Sequence, residues 1–201
     1  MRRQGLGVVR AAWVVVGVVV ALAVGGCVGD PEPVRTTDAV ATPSSTPSPQ
    51  PTRPPRPELP ERPAAMDEGT VDGAVAAALH YLELDRYAFA TGDTGPLRAM
   101  SADSCVYCGE VIDEVDRART DGMLTERDPY EVVASSAVEV SDGEWFNAEL
   151  HLRQGEIRVL GDDGSVLMSE PGGGEFRVLL ALSRVDERWT VDAGTVEPVQ
   201  P

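Results

Sequence analysis

Two cysteines separated by two residues are the feature of this sequence that most directly suggests chemistry. Cys105 and Cys108 have the Cys-x-x-Cys spacing of thioredoxin-like redox pairs. Such a pair normally follows a strand, whereas this motif follows a predicted helix. A zinc site would need further ligands, and the chain has only three Cys and two His. We predict a structural disulfide formed in an oxidising compartment, with redox activity as the alternative, and no metal site.

The third cysteine, Cys27, follows an apolar segment. Arginines open the chain, and residues 11–24 are then apolar and uncharged. Fourteen residues are fewer than the roughly 20 that span a bilayer, and they match the core of a signal peptide. The segment ends in Val24-Gly25-Gly26-Cys27, which resembles a bacterial lipobox. The resemblance implies a lipoprotein signal peptide over residues 1–26 and lipidation, including palmitate, on Cys27. An uncleaved anchor and an ordinary secretory signal are the alternatives.

The remaining candidate side chains have simpler structural explanations. His80 lies on the first predicted helix away from its apolar stripe, and His151 lies on a mixed polar strand face. We expect a packed or surface histidine at His80 and a solvated or rim histidine at His151. A further polar group lies near the end of the first helix: Tyr81, Arg86, Tyr87 and Asp93. Helix capping explains Asp93, so we assign no catalytic residue and expect no cofactor.

Other common motifs are incomplete. The glycines at 172–174 lack the lysine and the following helix of a phosphate-binding loop. The acids at 162–163 lack the ligand spacing of a calcium loop. Neither segment therefore predicts a binding site.

Composition and charge restrict the partners. The chain has 201 residues, of which 42% are hydrophobic and 25% charged, as expected of one globular domain with appendages. All 17 basic residues are arginine, and the net charge is −16. Residues 67–201 alone carry ten Arg against 28 Asp or Glu, a net charge of −18. So acidic a domain argues against nucleic acid as a partner.

A proline-rich stalk separates the signal peptide from this acidic domain. Residues 28–66 contain 11 of the 16 prolines and eight Ser or Thr, without apolar periodicity. We expect residues 27–66 to be a lipidated cysteine followed by a disordered stalk, and residues 67–201 to fold. Fully extended, the stalk would reach about 120 Å and hold the domain clear of a membrane.

Three helices are predicted at the start of the domain. Thr70 can cap a helix over residues 71–90, which Gly92 ends. Asp93 or Thr94 caps a short second helix. A third helix begins near Asp103 or Ser104 and ends at Asp121-Gly122.

Strands follow from residue 131 onward, where apolar residues begin to alternate with polar ones. Asp142-Gly143 predicts a hairpin between two such runs, and further strands are expected near 157–159, 166–168, 176–182 and 189–193. Helices followed by an antiparallel sheet predict an α+β fold. The first helix should pack its apolar stripe against the sheet: Val75, Leu79 and Leu82 against Phe146, Leu150, Val178 and Leu180.

The element order is similar to the nuclear-transport-factor-2-like (SnoaL-like) cone, in which a curved antiparallel sheet wraps a first helix. Residues 75–125 resemble domain of unknown function 6318, a family of actinobacterial lipoproteins, and the motifs that carry the resemblance are Tyr87-Ala88-Phe89-Ala90-Thr91-Gly92-Asp93, Leu97, Ser101 and Cys105-Val106-Tyr107-Cys108. The resemblance implies a pocket at the open end of the cone and brings no assigned activity.

Two functional hypotheses follow. The first is a cell-envelope lipoprotein, anchored by lipid to the outer face of the membrane, whose domain binds a small apolar ligand or an envelope protein without catalysis. The alternative is a small isomerase- or cyclase-like enzyme acting on an apolar substrate.

Lipidation can be tested at Cys27. Replacing Cys27 by Ala should abolish metabolic labelling with a fatty acid, because the thiol is the acceptor. A Cys105→Ser, Cys108→Ser double variant, which keeps Cys27, should retain the label. Label persisting on the Cys27→Ala protein would rule out the lipobox.

Overall fold

The computed structural model describes residues 56–199, so the predicted signal peptide, Cys27 and most of the predicted stalk lie outside the described residues. In this part of the chain helices precede strands, and the predicted α+β class is confirmed. The elements are a short 3-10 turn at Ala64–Asp67, then α1 (Val71–Thr91), α2 (Gly95–Ala99), α3 (Val106–Thr120), β1 (Leu124–Arg127), β2 (Glu131–Ser141), β3 (Trp145–Arg153), β4 (Ile157–Leu160), β5 (Val166–Glu170), β6 (Glu175–Val185) and β7 (Arg188–Pro198).

Local signals determine both ends of α1. The Thr70 hydroxyl accepts a hydrogen bond from the Gly73 amide at 3.2 Å, as a capping residue should. Gly92 ends the helix with a φ of 72°, a left-handed conformation that glycine adopts without a steric penalty. The predicted bounds and caps of α1 are therefore confirmed. No helix within residues 56–199 has the length and apolar character needed to cross a membrane.

The start of α2 agrees with the prediction, whereas the start of α3 differs from it. Thr94 is the capping residue of α2, although its side chain makes no capping bond; the Asp93 carboxylate accepts from the Gly95 amide instead, at 3.1 Å. The cap of α3 is Cys105 and not Asp103 or Ser104, because the Cys105 sulfur accepts from the Cys108 amide at 3.2 Å. The predicted start of α3, near Asp103 or Ser104, was therefore two or three residues too early, because the helix begins at Val106.

The strands form two antiparallel sheets rather than one. The larger has the order β2-β3-β6-β7 and the smaller β1-β4-β5. Strand β1, which pairs along its whole length with β4, was not predicted. Its four residues are all half-buried, so they show no alternation that would reveal a strand.

Helix α1 packs against strands of both sheets, which gives the cone arrangement that the family resemblance implied. The predicted sheet residues Phe146, Leu150, Val178 and Leu180 are all buried. On the helix, Leu82 is buried, whereas Val75 and Leu79 are only half-buried. The fully buried positions are mostly small, namely Ala74, Ala77, Ala78 and Ala88, together with Tyr81. The buried surface of the helix therefore combines alanines with larger residues, because Leu82, Leu84 and Phe89 are also buried and Leu79 packs against the core.

Several residues that we expected in the stalk, before residue 67, contact the folded domain. Met66 is only 2% exposed, and its carbonyl oxygen accepts from Trp189 Nε1 at 2.8 Å and Arg62 Nη2 at 2.9 Å. At the other end of α1, Arg56 lies 3.8 Å from the Asp93 carboxylate. Residues 56–63 thus follow the outer side of α1, and Met66 is part of the core.

The strand register can be tested with two adjacent residues of β3. Leu150→Ala should lower the free energy of unfolding by about 2–5 kcal/mol, because Leu150 is fully buried. Glu149→Ala should cost less than about 1 kcal/mol, because its carboxylate is exposed and meets Arg177 only at 3.6 Å. Urea unfolding of the whole chain measures both. Equal effects of the two substitutions would contradict the register.

Candidate functional site

A half-open pocket of about 470 Å³ lies among α1, α3, β1 and the ends of β4, β6 and β7. We call it the inner pocket. Its walls are mainly apolar and aromatic, with a few polar groups, and its lining residues are Leu82, Asp85, Phe89, Tyr107, Val111, Arg127, Tyr130, Gln154, Ile157, Gly174, Glu175, Phe176, Val178, Val196 and Pro198. A second cavity of about 520 Å³ lies on the outer side of α1, beneath Pro57, Glu58 and Pro60.

One ion pair forms the polar floor of the inner pocket. Asp85 on α1 is 5% exposed, and its Oδ2 accepts a hydrogen bond from Arg127 Nη1 at 2.8 Å. Burial raises the pKa of the Asp85 carboxyl to about 6, against the opposing pull of Arg127. The Arg127 guanidinium also lies 3.8 Å from the centre of the Phe89 ring, a cation–π contact.

The backbone of β1 is tied to the same helix. Arg86 on α1 donates from Nε and Nη2 to the carbonyl oxygen of Arg127, at 3.2 and 2.9 Å. These bonds position the main chain of Arg127 while Asp85 and Phe89 hold its guanidinium. The side chain of Arg127 is therefore fixed from both ends.

Aromatic residues form the walls. The rings of Tyr130 and Phe176 meet edge to face with centroids 5.7 Å apart. Burial raises the pKa of the phenols of Tyr107 and Tyr130, so both are uncharged at neutral pH. The pocket thus presents phenol hydroxyls rather than phenolates.

The Cys-x-x-Cys motif positions one of these aromatic walls. Cys105 and Cys108 are joined by a disulfide, with Cα atoms 5.3 Å apart, and Tyr107 lies between them in the chain. Opposite, an added Cβ at Gly194 would lie 2.4 Å from Cδ1 of Tyr107, so glycine makes room for the ring. Exposed fractions of 3% and 1% at the two cysteines favour the structural interpretation over a redox role.

The two histidines lie apart from the floor of the inner pocket. His80 is 8% exposed and does not line the pocket; burial, together with Arg62, lowers its pKa. The sequence left a packed and a surface position open for His80, and the structure shows the packed one. His151 is not a lining residue either; its Nε2 is 2.8 Å from the carboxylate of Glu175, which does line the pocket.

The polar group expected near the end of α1 is divided among separate contacts. Tyr87 donates to Asp93 at 3.4 Å, while Tyr81 lies 3.5 Å from the hydroxyl of Ser101. Arg86 pairs with Glu83 and with the backbone of β1. Among residues 56–199, no group of three His, Cys, Asp or Glu side chains is placed to hold a metal ion.

Asp85 and its partner were not among the candidate residues predicted from the sequence. Asp85 follows Leu82 by three residues and precedes Phe89 by four, which places it on the same face of α1 as two buried apolar residues. That spacing was a usable signal, since a carboxylate on a buried helix face requires an internal partner. The partner itself is 42 residues further along the chain, on the unpredicted strand β1.

Comparisons with known proteins match the sequence to one family. A sequence model of a family of unknown function, DUF6318, matches residues 45–194. No curated protein matches the chain.

Similar solved structures share little sequence with this chain. The intermembrane space region of chloroplast protein ARC6 is 11% identical with a TM-score of 0.48, covering 65% of this chain and 98% of that one. The protein Aln2 from a Streptomyces species is 13% identical with a TM-score of 0.42, covering 63% and 90%. A nuclear-transport-factor-2-like protein of unknown function from Shewanella baltica is 14% identical with a TM-score of 0.33, covering 66% and 98%.

The buried carboxyl predicts a distinctive pH dependence. Because the folded protein binds the Asp85 proton more tightly than the unfolded chain does, stability should fall as pH rises from about 4 to about 6. The loss in free energy of unfolding, measured against Asp85→Asn, should approach about 3 kcal/mol and then level off. Urea unfolding at several pH values measures this difference. Parallel pH profiles for the two proteins would show that the Asp85 pKa is not raised.

Proposed function

The chain belongs to DUF6318, a family of unknown function, and we propose that it is a cell-envelope lipoprotein whose extracytoplasmic domain binds a small ligand without converting it. The ligand would occupy the inner pocket.

The pocket is the observation that carries this proposal. Its volume of about 470 Å³ lies within the range of small-molecule sites, which are typically about 300–1,000 Å³. Apolar and aromatic side chains make up most of its lining, while Asp85, Arg127 and two phenols supply a few polar groups. Removing apolar ligand surface from water would provide most of the affinity, and the polar groups would orient the ligand.

Placement at the cell envelope is supported by the sequence outside residues 56–199. Cys27 would attach the chain to lipid, and the proline-rich stalk would hold the domain away from the membrane. The net charge of −18 over residues 67–201 would disfavour contact with anionic lipid. A tethered domain of this kind can take up molecules close to the membrane without lying on it.

Binding without catalysis is favoured by the ion pair between Asp85 and Arg127 and by the protonated phenols beside it. The Asp85 carboxylate already accepts a hydrogen bond from Arg127 at 2.8 Å, so a substrate would have to displace the guanidinium from that oxygen before transferring a proton to it. The neighbouring phenols are held protonated by burial. The charges at the floor are therefore balanced within the protein, while Arg127 Nε has no hydrogen-bond partner among residues 56–199 and remains as a donor for a bound ligand.

One observation favours a second candidate, an isomerase- or cyclase-like enzyme. A pKa of about 6 would suit Asp85 to acid–base work near neutral pH, because an efficient general base titrates close to the working pH. In that case a substrate would displace Arg127 from the carboxylate before proton transfer.

Blocking the pocket tests the binding proposal. Val111→Trp should fill the pocket and weaken binding of N-phenyl-1-naphthylamine by about ten-fold or more, measured by fluorescence titration of the whole chain. Val106→Trp is the matched control, because Val106 lies on the same helix but is 73% exposed. Absence of binding to the unmodified protein, or equal loss in both variants, would contradict the proposal.

The same pocket can separate the two candidates. A small molecule that co-purifies with the protein from native membranes is identified by mass spectrometry and then incubated with the protein. Recovery of the unchanged molecule supports binding without conversion. Conversion by the unmodified protein and not by Asp85→Asn would support the enzyme.

A further inference from the structure

We propose that the inner pocket selects ligands that carry no net charge, because the opposite charges of Asp85 and Arg127 at its floor balance each other within the protein. This inference rests on the proposed function and concerns the chemical class of the ligand.

The floor offers no uncompensated charge to a ligand. Arg127 Nη1 is bonded to Asp85 at 2.8 Å, and its guanidinium covers the Phe89 ring at 3.8 Å. A charged ligand would leave water for an apolar pocket without gaining an opposite charge, which is unfavourable. A neutral ligand loses little hydration and gains contact with the aromatic walls.

The rim is neutralised in the same way. Glu175, which lines the pocket, accepts from Arg153 Nη2 at 2.7 Å and from Arg153 Nε at 3.2 Å, and lies 2.8 Å from His151. These contacts engage both oxygens of the carboxylate. A cationic ligand would therefore have to compete with an arginine for Glu175 and with another for Asp85.

Removing the charge of Asp85 and removing the charge of Arg127 should change the ligand preference of the pocket differently. Asp85→Asn leaves Arg127, which stays protonated, as an unbalanced cation in the pocket. Arg127→Gln leaves Asp85, whose burial then favours the protonated, neutral acid. Loss of the carboxylate should therefore give the pocket a preference for anions, whereas loss of the guanidinium should leave its preference for neutral molecules.

Two matched pairs of fluorescent probes test the selection. The first pair is N-phenyl-1-naphthylamine and 8-anilino-1-naphthalenesulfonate, which share one ring skeleton and differ by a sulfonate. The second pair is 1-naphthylmethanol and 1-naphthylmethylammonium, which test cations. Titrations use the whole chain at about pH 7.5, where Asp85 is ionised, and the Val111→Trp variant supplies the background for binding outside the pocket.

In the unmodified protein we expect each neutral probe to bind about ten-fold or more tightly than its charged partner. In Asp85→Asn the preference for N-phenyl-1-naphthylamine over the sulfonate should fall by about ten-fold or reverse. Arg127→Gln should keep the original preference. Thermal unfolding of each variant establishes that it is folded, and the unmodified protein decides the question if a variant is not.

Equal or tighter binding of either charged probe to the unmodified protein would overturn the inference while leaving the proposed function intact. An unchanged preference in folded Asp85→Asn would also overturn it, since the ion pair would then not be the selecting element. Failure of all four probes to bind in the pocket would overturn the proposed function, and this inference with it.

Discussion

The burial of α1 on nearly every side is the constraint on which the rest of the structure depends. The helix contacts strands of both sheets, and its buried surface combines small alanines with Tyr81, Leu82, Leu84 and Phe89. A polar side chain on the buried part of this helix needs a partner inside the protein, because it loses most of its contact with water. Asp85 obtains that partner from β1, which explains why the short first strand of the smaller sheet is essential to the pocket.

The disulfide is connected to the pocket through helix α3. Helix α3 contributes Tyr107 and Val111 to the lining, and the disulfide between Cys105 and Cys108 fixes the first turn of that helix. Gly194 on β7 leaves the space that the Tyr107 ring occupies. A motif that suggests redox chemistry in the sequence therefore acts, in the folded protein, through the residue it encloses.

Locally encoded features were predictable from the sequence, and features that depend on distant pairing were not. The cap at Thr70, the stop at Gly92 and the alternation in β3 and β6 arise from neighbouring residues, so they could be predicted. Strand β1 is defined by its pairing with β4, and the Asp85–Arg127 contact joins residues far apart in the chain. The division into two sheets could not be predicted either, because it depends on which strands pair across long stretches of the chain.

The attachment of residues 56–66 has a mechanical consequence. A pull on the chain from its N-terminal side would first separate the contact of Arg56 with Asp93 and peel residues 56–63 from the outer side of α1. Only then would the load reach Met66, which is held in the core and bonded to Trp189. Residues 56–63 would therefore detach and lengthen the chain before any force acted on the core and the pocket.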